Sequence, residues 1–282
     1  MHGPDRGMDP GPPPHGSRPA PAPGALAGVR IVVTRARTQA SGLVRRLADL
    51  GAEVVELPVI AIEEPSDGGA ATAAAADRVV SGAYEWVVVT SSNAASRFVD
   101  ALGSRTAPAA TRWAAVGAST ARALMERGIV PDLVPTAAVS DALVEAFPPA
   151  TPPDSAPGRA TREGTVLFVR AERVRDVVAP GLAAKGWRVD EAVAYRTVAG
   201  DVDPSAVDAA RTADAVAFTS SSTVERTVDV LGVPGVPGVV ASIGPVTSAA
   251  ARASGLEVTV EAGEHTVDGL VAALVDALAG HR

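Results

Sequence analysis

The chain of 282 residues contains no cysteine. That excludes disulfides, thiolate nucleophiles, iron–sulfur clusters, zinc ribbons and any thioether-tethered cofactor. Histidine is scarce, at four residues. Three of them, His2, His15 and His281, sit near the ends, which leaves only His265 in the body of the chain. A histidine-rich metal site lacks its material. A Ser-His-Asp triad would have to use His265, and no G-x-S-x-G elbow accompanies it. Aromatic residues make up only 3%, so a core must be built from Ala, Val and Leu. Such small side chains suit helices packed closely on a parallel sheet. There is no basic stripe, and the net charge is -7, so no nucleic-acid partner is expected. A polyanion would have to be held by local donors: arginine forks, hydroxyls and backbone N–H groups at helix starts. No apolar run approaches the roughly 18 residues that span a bilayer. Residues 1–23 show no leader-type hydrophobic centre.

What is present is hydrophobic patterning. Apolar residues make up 47%, and the length suits one or two domains. Residues 1–27 read as a disordered Pro/Gly-rich tail. Short runs rich in Val, Ile and Ala predict strands at 30–34, 86–90, 113–116, 166–170, 215–219 and 239–243. Leu43, Leu47 and Leu50 have helical spacing, and Gly51 follows as a C-cap. Residues 53–62 read as extended with Pro58 inside, which favours an edge or a crossing linker. Residues 148–163 read as a flexible surface loop. Alternating strands and helices predict α/β architecture with parallel sheets.

The pattern occurs twice. Val89-Thr90-Ser91-Ser92 matches Phe218-Thr219-Ser220-Ser221, at an offset of 219 − 90 = 129. Val116-Gly117-Ala118-Ser119-Thr120 matches Ile243-Gly244-Pro245-Val246-Thr247, at 244 − 117 = 127. Thr34-Arg35 matches Val169-Arg170, at 170 − 35 = 135. The period is too long for a solenoid, so two similar α/β domains are expected.

The repeated corners carry the chemistry. Taken alone, either Thr-Ser-Ser corner reads as a helix cap, and Ser222 with Glu225 as a capping box. Two copies at the carboxyl ends of parallel strands would also frame a cleft for carboxylates. Gly117 and Gly244 permit close backbone approach or positive φ. Thr120 and Thr247 fall in a first helical turn, where a hydroxyl can face the cleft. No Gly-Lys-Ser/Thr or G-x-G-x-x-G is present, which disfavours nucleotide cofactors. Arg35 and Arg170 at matched strand ends read either as surface charge or as carboxylate forks. Tyr195 reads as a proton donor or as linker packing, and His265 as a surface loop residue.

In their order and spacing these motifs resemble the uroporphyrinogen-III synthase family, over about residues 28–279. The carriers are Thr34-Arg35, Thr90-Ser91-Ser92-Asn93-Ala94, Val116-Gly117 with Thr120, Tyr195-Arg196-Thr197, Thr219-Ser220-Ser221, Ile243-Gly244-Pro245 with Thr247, and Thr266 with Leu270. The resemblance implies two flavodoxin-like parallel-sheet domains joined by a two-stranded connector of the stretches around Pro58 and Tyr195. Domain 1 is then 28–60 plus 196–282, and domain 2 is 61–195. It implies a cofactor-free, metal-free cyclisation of hydroxymethylbilane to uroporphyrinogen III, with loss of water and inversion of ring D. Tyr195 and Thr247 are implied as catalytic. Arg35, Thr90, Ser91, Ser92, Gly117, Thr120, Arg170, Thr219, Ser220, Ser221, Gly244 and Thr266 are implied as substrate contacts. A cytoplasmic monomer is expected, without a fused DNA-binding module and in transient contact with the enzyme preceding it. The rival readings are a hinged solute-binding protein, a cytosolic tetrapyrrole sensor and a flavodoxin-like redox module.

Overall fold

The first β-branched run forms β1 (Arg30–Val33), and the periodic leucines pack α1 (Arg37–Asp49) against it. This computed structural model describes residues 22–151, 164–173 and 177–279. The chain continues through β2 (Glu53–Glu56), β3 (Ile60–Glu63), α2 (Ala70–Val80), β4 (Trp86–Val89), α3 (Ser92–Leu102), β5 (Arg112–Ala115), α4 (Ala118–Met125) and α5 (Ser140–Ala146). Next come β6 (Thr165–Ala171), α6 (Val178–Ala184), β7 (Arg188–Ala199), α7 (Pro204–Arg211), β8 (Ala215–Phe218) and α8 (Ser221–Leu231). The chain then forms β9 (Val239–Ser242), α9 (Pro245–Ala253), β10 (Val260–Glu261) and α10 (Val267–Ala279).

Two five-stranded sheets result, in the orders β10-β9-β8-β1-β2 and β3-β7-β6-β4-β5. Every pairing between named strands is parallel except that of β3 with β7. In the first sheet the strands follow the doubly wound order 2-1-3-4-5. In the second sheet β7, β6, β4 and β5 repeat the first four positions, with the third and fourth formed before the first two, and the antiparallel β3 through which the chain enters is added at the edge. A detail supports the duplication. The parallel bridge of Ala114 with Leu133 stands 127 residues before the β9–β10 pair of Ala241 with Val260.

Residues alternate between the two faces of each strand, so both faces of each sheet are buried under helices. Ile31 and Val33 pack with Leu43, Leu47, Leu270 and Leu274, whereas Val32 packs with Phe218, Val224 and Leu231. In the second sheet Val87 and Val89 face Phe98 and Leu124, and Trp86 and Val88 face Leu143, Phe147 and Leu182.

Two expectations about order need correction. Leu26 is 0% exposed, and its N–H donates to Leu50 O at 2.9 Å. Packed structure thus begins at Leu26 rather than at 28, because one buried leucine leaves no periodicity to read. Residues 1–21 lie outside the described residues. The front of the expected loop is also packed: Trp187 Nε1 donates to Pro148 O at 2.8 Å and Ala150 N–H to Lys185 O at 2.9 Å. Residues 152–163 lie outside the described residues.

The linker through Leu57-Pro58-Val59 carries the chain from the carboxyl end of β2 into β3. β7 pairs with β6 as far as Tyr195, and then Arg196 to Ala199 pair with β3. Both connector strands stay with the second sheet, so sheet membership changes at 59/60 and 199/200 rather than at 60/61 and 195/196. Gly200 closes the crossing. Its N–H donates to Val59 O at 2.9 Å, and an added Cβ would lie 1.8 Å from Pro58 O. Gly200→Ala is expected to cost about 1–3 kcal/mol, as overpacking does. Thermal unfolding checks this; an unchanged midpoint would mean that the crossing opens freely.

Candidate functional site

In a doubly wound sheet, ligands bind outside the carboxyl ends of strands where the strand order reverses. Here those points lie between β1 and β8 in the first sheet and between β6 and β4 in the second. Thr34-Arg35 follows β1 and Thr219-Ser220-Ser221 follows β8; in the second sheet Arg170 is the next-to-last residue of β6 and Thr90-Ser91-Ser92 follows β4. Connectivity also brings the two carboxyl edges to one place. β2 leaves the first sheet at that edge, β7 leaves its parallel pairing at that edge, and both run directly into the connector.

The two serine corners are near copies. Ser91 (φ -154, ψ 153) caps α3 and accepts from Ala94 N–H at 3.1 Å. Ser220 (φ -163, ψ 157) caps α8 and accepts from Thr223 N–H at 3.4 Å. The capping box expected at Ser222 with Glu225 is not formed. The cap is Ser220 itself, the Ser222 hydroxyl lies 3.1 Å from that of Ser220, and Glu225 is exposed. Ser92 and Ser221 begin the two helices, and Thr90 and Thr219 are half-buried at the strand ends. Ser221 Oγ donates to Val246 O at 3.3 Å, which ties the α8 corner to the α9 corner.

Tyr195, 8% exposed, sits where β7 passes from its parallel to its antiparallel partner. Its hydroxyl lies 3.1 Å from Ser91 Oγ. A phenol thus stands against the cap of a helix whose N-terminus favours negative charge.

The matched arginines differ. Arg170 is tied to Glu191 and donates to Ala171 O at 2.9 Å and Glu172 O at 3.0 Å. Its position suits a carboxylate fork, but its donors serve the β6 turn. Arg35 is half-buried and has no ion pair or hydrogen bond among the described residues. Burial lowers its guanidinium pKa below the ordinary value. A partly desolvated cation without a counter-charge is costly, and an anionic ligand removes that cost. Thr34 is buried just before it, with Oγ1 donating to Ala217 O at 3.4 Å.

Other expected residues take different roles. Gly117 (φ -177) and Gly244 (φ 168) are extended, so positive φ is not the reason for glycine. Close approach is. A Cβ on Gly117 would lie 2.4 Å from Ala138 Cβ, and one on Gly244 would lie 3.0 Å from the His265 ring. His265, read as a plain surface residue, is exposed but lies over the Gly244 turn. Thr120 and Thr247 occupy first helical turns as expected, but they are 1% and 5% exposed rather than open to solvent. Thr266 Oγ1 accepts from Gly269 N–H at 3.0 Å and caps α10.

Two hollows adjoin these groups. One of about 270 Å³ is lined by Ala36, the residue after Arg35, and by Pro58, Ile60, Ile62, Gly200 and Asp201 among others. Another of about 630 Å³ runs between α2 and α3 and is lined by Ile62, Asn93, Ser96, Arg97 and Ala194 among others. Sequence reasoning missed this groove. The polar spacing of Asn93, Ser96 and Arg97, at i, i+3 and i+4, was its signal.

Fold and corners together define a class: a duplicated, doubly wound α/β protein whose two ligand-type edges flank one connector. The sequence model of HEM4, described as uroporphyrinogen-III synthase HemD, matches residues 41–272. The chain is 33% identical over 271 residues to the uroporphyrinogen-III synthase of Synechococcus elongatus, spanning 88% of this chain and 95% of that one. Over 114 residues it is 35% identical to the porphyrin biosynthesis protein HemD of Ruminiclostridium josui, or 39% of this chain and 22% of that one. The chain belongs to the uroporphyrinogen-III synthase family. Its fold is similar to that of a mutant uroporphyrinogen III synthase from Thermus thermophilus, with TM-score 0.59, 22% identity and coverage of 89% and 99% of the two chains. It is also similar to the Helicobacter pylori enzyme, with TM-score 0.53, 15% identity and coverage of 88% and 99%. Among the described residues no helix is long and apolar enough to cross a membrane.

Proposed function

We propose that this chain converts hydroxymethylbilane to uroporphyrinogen III, closing the macrocycle with inversion of ring D and loss of water. Family membership supports the reaction. The observation that carries the site is Arg35 at one switch point, without an ion pair or hydrogen bond among the described residues, with the carboxyl edges of both sheets meeting the connector. The substrate bears eight carboxylates, and a protein of net charge -7 does not attract it by bulk field. Local donors do that work: the Arg35 fork and the first-turn N–H groups of α3 and α8.

The pyrrole nitrogen lone pair expels the terminal hydroxyl, and the Tyr195 phenol supplies the proton that makes it water. The resulting cation is attacked at the substituted carbon of ring D; the spiro species reopens by breaking that carbon's bond to the neighbouring bridge, and the freed bridge carbon closes on the other α-carbon of ring D, whose proton returns to the Tyr195 phenolate. Free in solution the chain closes without inversion, so the protein's main task is to hold the reactive ends in one arrangement. Thr247 orients the α9 corner from its buried position. Arg170, Gly117, Thr120, Gly244 and Thr266 shape the walls. The two sheets with their helices act as two domains about the connector. The chain works as a cytoplasmic monomer and receives its labile substrate in transient contact with the enzyme that makes it.

The test is to supply hydroxymethylbilane, oxidise the product and separate the isomers. Isomer III in excess over the enzyme-free control is expected. Isomer I alone would remove the activity, and tight binding without turnover would point to the sensor reading.

A further inference from the structure

Ser242, Ser248 and Glu261 form a hydrogen-bonded chain with no counterpart in the other half of the molecule. The Ser242 and Ser248 hydroxyls are 2.5 Å apart, and both residues are fully buried. Ser248 Oγ donates in turn to the Glu261 carboxylate. Ser242 ends β9, Ser248 lies in the first turn of α9, and Glu261 ends β10. The chain therefore clamps the corner Gly244-Pro245-Val246-Thr247 from behind.

Burying a hydroxyl costs free energy unless it finds a partner, and an alanine avoids the cost altogether. The sister corner takes that second course. At 127 residues earlier, the same register places Ala115, Ala121 and Val134 at these three positions. Ala115 and Ala121 are buried in an apolar cluster. One fold thus supports both an apolar and a polar corner, and packing alone does not call for the polar version. The polar version stands behind Thr247, and the Ser221 bond to Val246 O extends its reach to the α8 corner.

We infer that Ser248, held between Ser242 and Glu261, is a positioning residue that fixes the α9 corner and through it Thr247. Its kinetic consequence rests on the proposed function; its structural consequence does not. The test gives the clamped corner its sister's residues, in the triple variant Ser242→Ala, Ser248→Ala, Glu261→Val. The thermal midpoint is expected to hold or rise, since alanine removes two buried hydroxyls together with their need for partners, and Glu261 is exposed. The rate kcat for isomer III is expected to fall about tenfold with KM little changed, as for a small misplacement of a group that orients the reacting ends. Glu261→Gln alone keeps an acceptor for Ser248 and should keep most of the parental rate. Amide exchange across residues 244–249, which needs no activity, should be faster in the triple variant than in the parent.

A triple variant with parental kcat and parental exchange overturns the inference. If the parent itself makes no isomer III, the proposed reaction falls, and exchange alone still decides the clamp. Should the triple variant fail to fold, Ser248→Ala carries the same two readouts.

Discussion

Arg35→Ala is expected to lower kcat/KM for hydroxymethylbilane while leaving the thermal midpoint unchanged or raised. The two halves of this prediction share one cause. Arg35 is half-buried and makes no ion pair or hydrogen bond among the described residues, and burial depresses its pKa. In the free protein the guanidinium is a cost, so removing it does not destabilise. In the expected complex it meets a carboxylate. Hydrogen bonds to charged groups contribute about 1.5–3 kcal/mol, so the expected loss is about 10- to 100-fold at roughly 1.4 kcal/mol per tenfold. Arg170→Ala should show the reverse balance. Its ties to Glu191, Ala171 O and Glu172 O hold the β6 turn, so stability should fall more than activity. Steady-state kinetics beside thermal unfolding separates the two. If Arg35→Ala unfolds earlier at parental kcat/KM, Arg35 serves the fold and not a ligand.

Tyr195→Phe is expected to reduce kcat by about a hundredfold, the lower range for loss of a general acid. The ring remains, so the packing of this buried residue survives. The lost contact is the 3.1 Å bond to Ser91 Oγ, worth roughly 1 kcal/mol. Ser91 still accepts from Ala94 N–H, so the α3 cap persists. KM should change little, because the proposed role of the phenol is toward the departing hydroxyl and not toward the carboxylates. Parental kcat with a lowered midpoint would make Tyr195 a strut for the corner.

Much of this was legible in the sequence, for identifiable reasons. Strands such as Trp86–Val89 and Ala215–Phe218 are short, apolar and bounded by turn residues, and each lies within a residue of where the pattern puts it. The paired Thr-Ser-Ser corners were legible because the chain carries its own internal comparison. The pairing of the connector strands came from the family resemblance, with Pro58 as the only local hint. Contacts between distant residues left no local trace. Ser91 and Tyr195 were singled out separately, and only the fold brings them together. The different fates of Arg35 and Arg170 depend on Glu191 and on carbonyls of the β6 turn, which no spacing rule reveals. Thr120 and Thr247 look like cleft hydroxyls because they occupy first helical turns, but both are buried.

The account places a carboxylate-rich tetrapyrrole across the carboxyl edges of both sheets. A crystal structure of this chain with bound uroporphyrinogen III tests that directly. The expected complex has one carboxylate on the Arg35 guanidinium and others on the first-turn amides of α3 and α8, with the connector alongside. Product lodged in the α2–α3 groove alone, with Arg35 untouched, would contradict it.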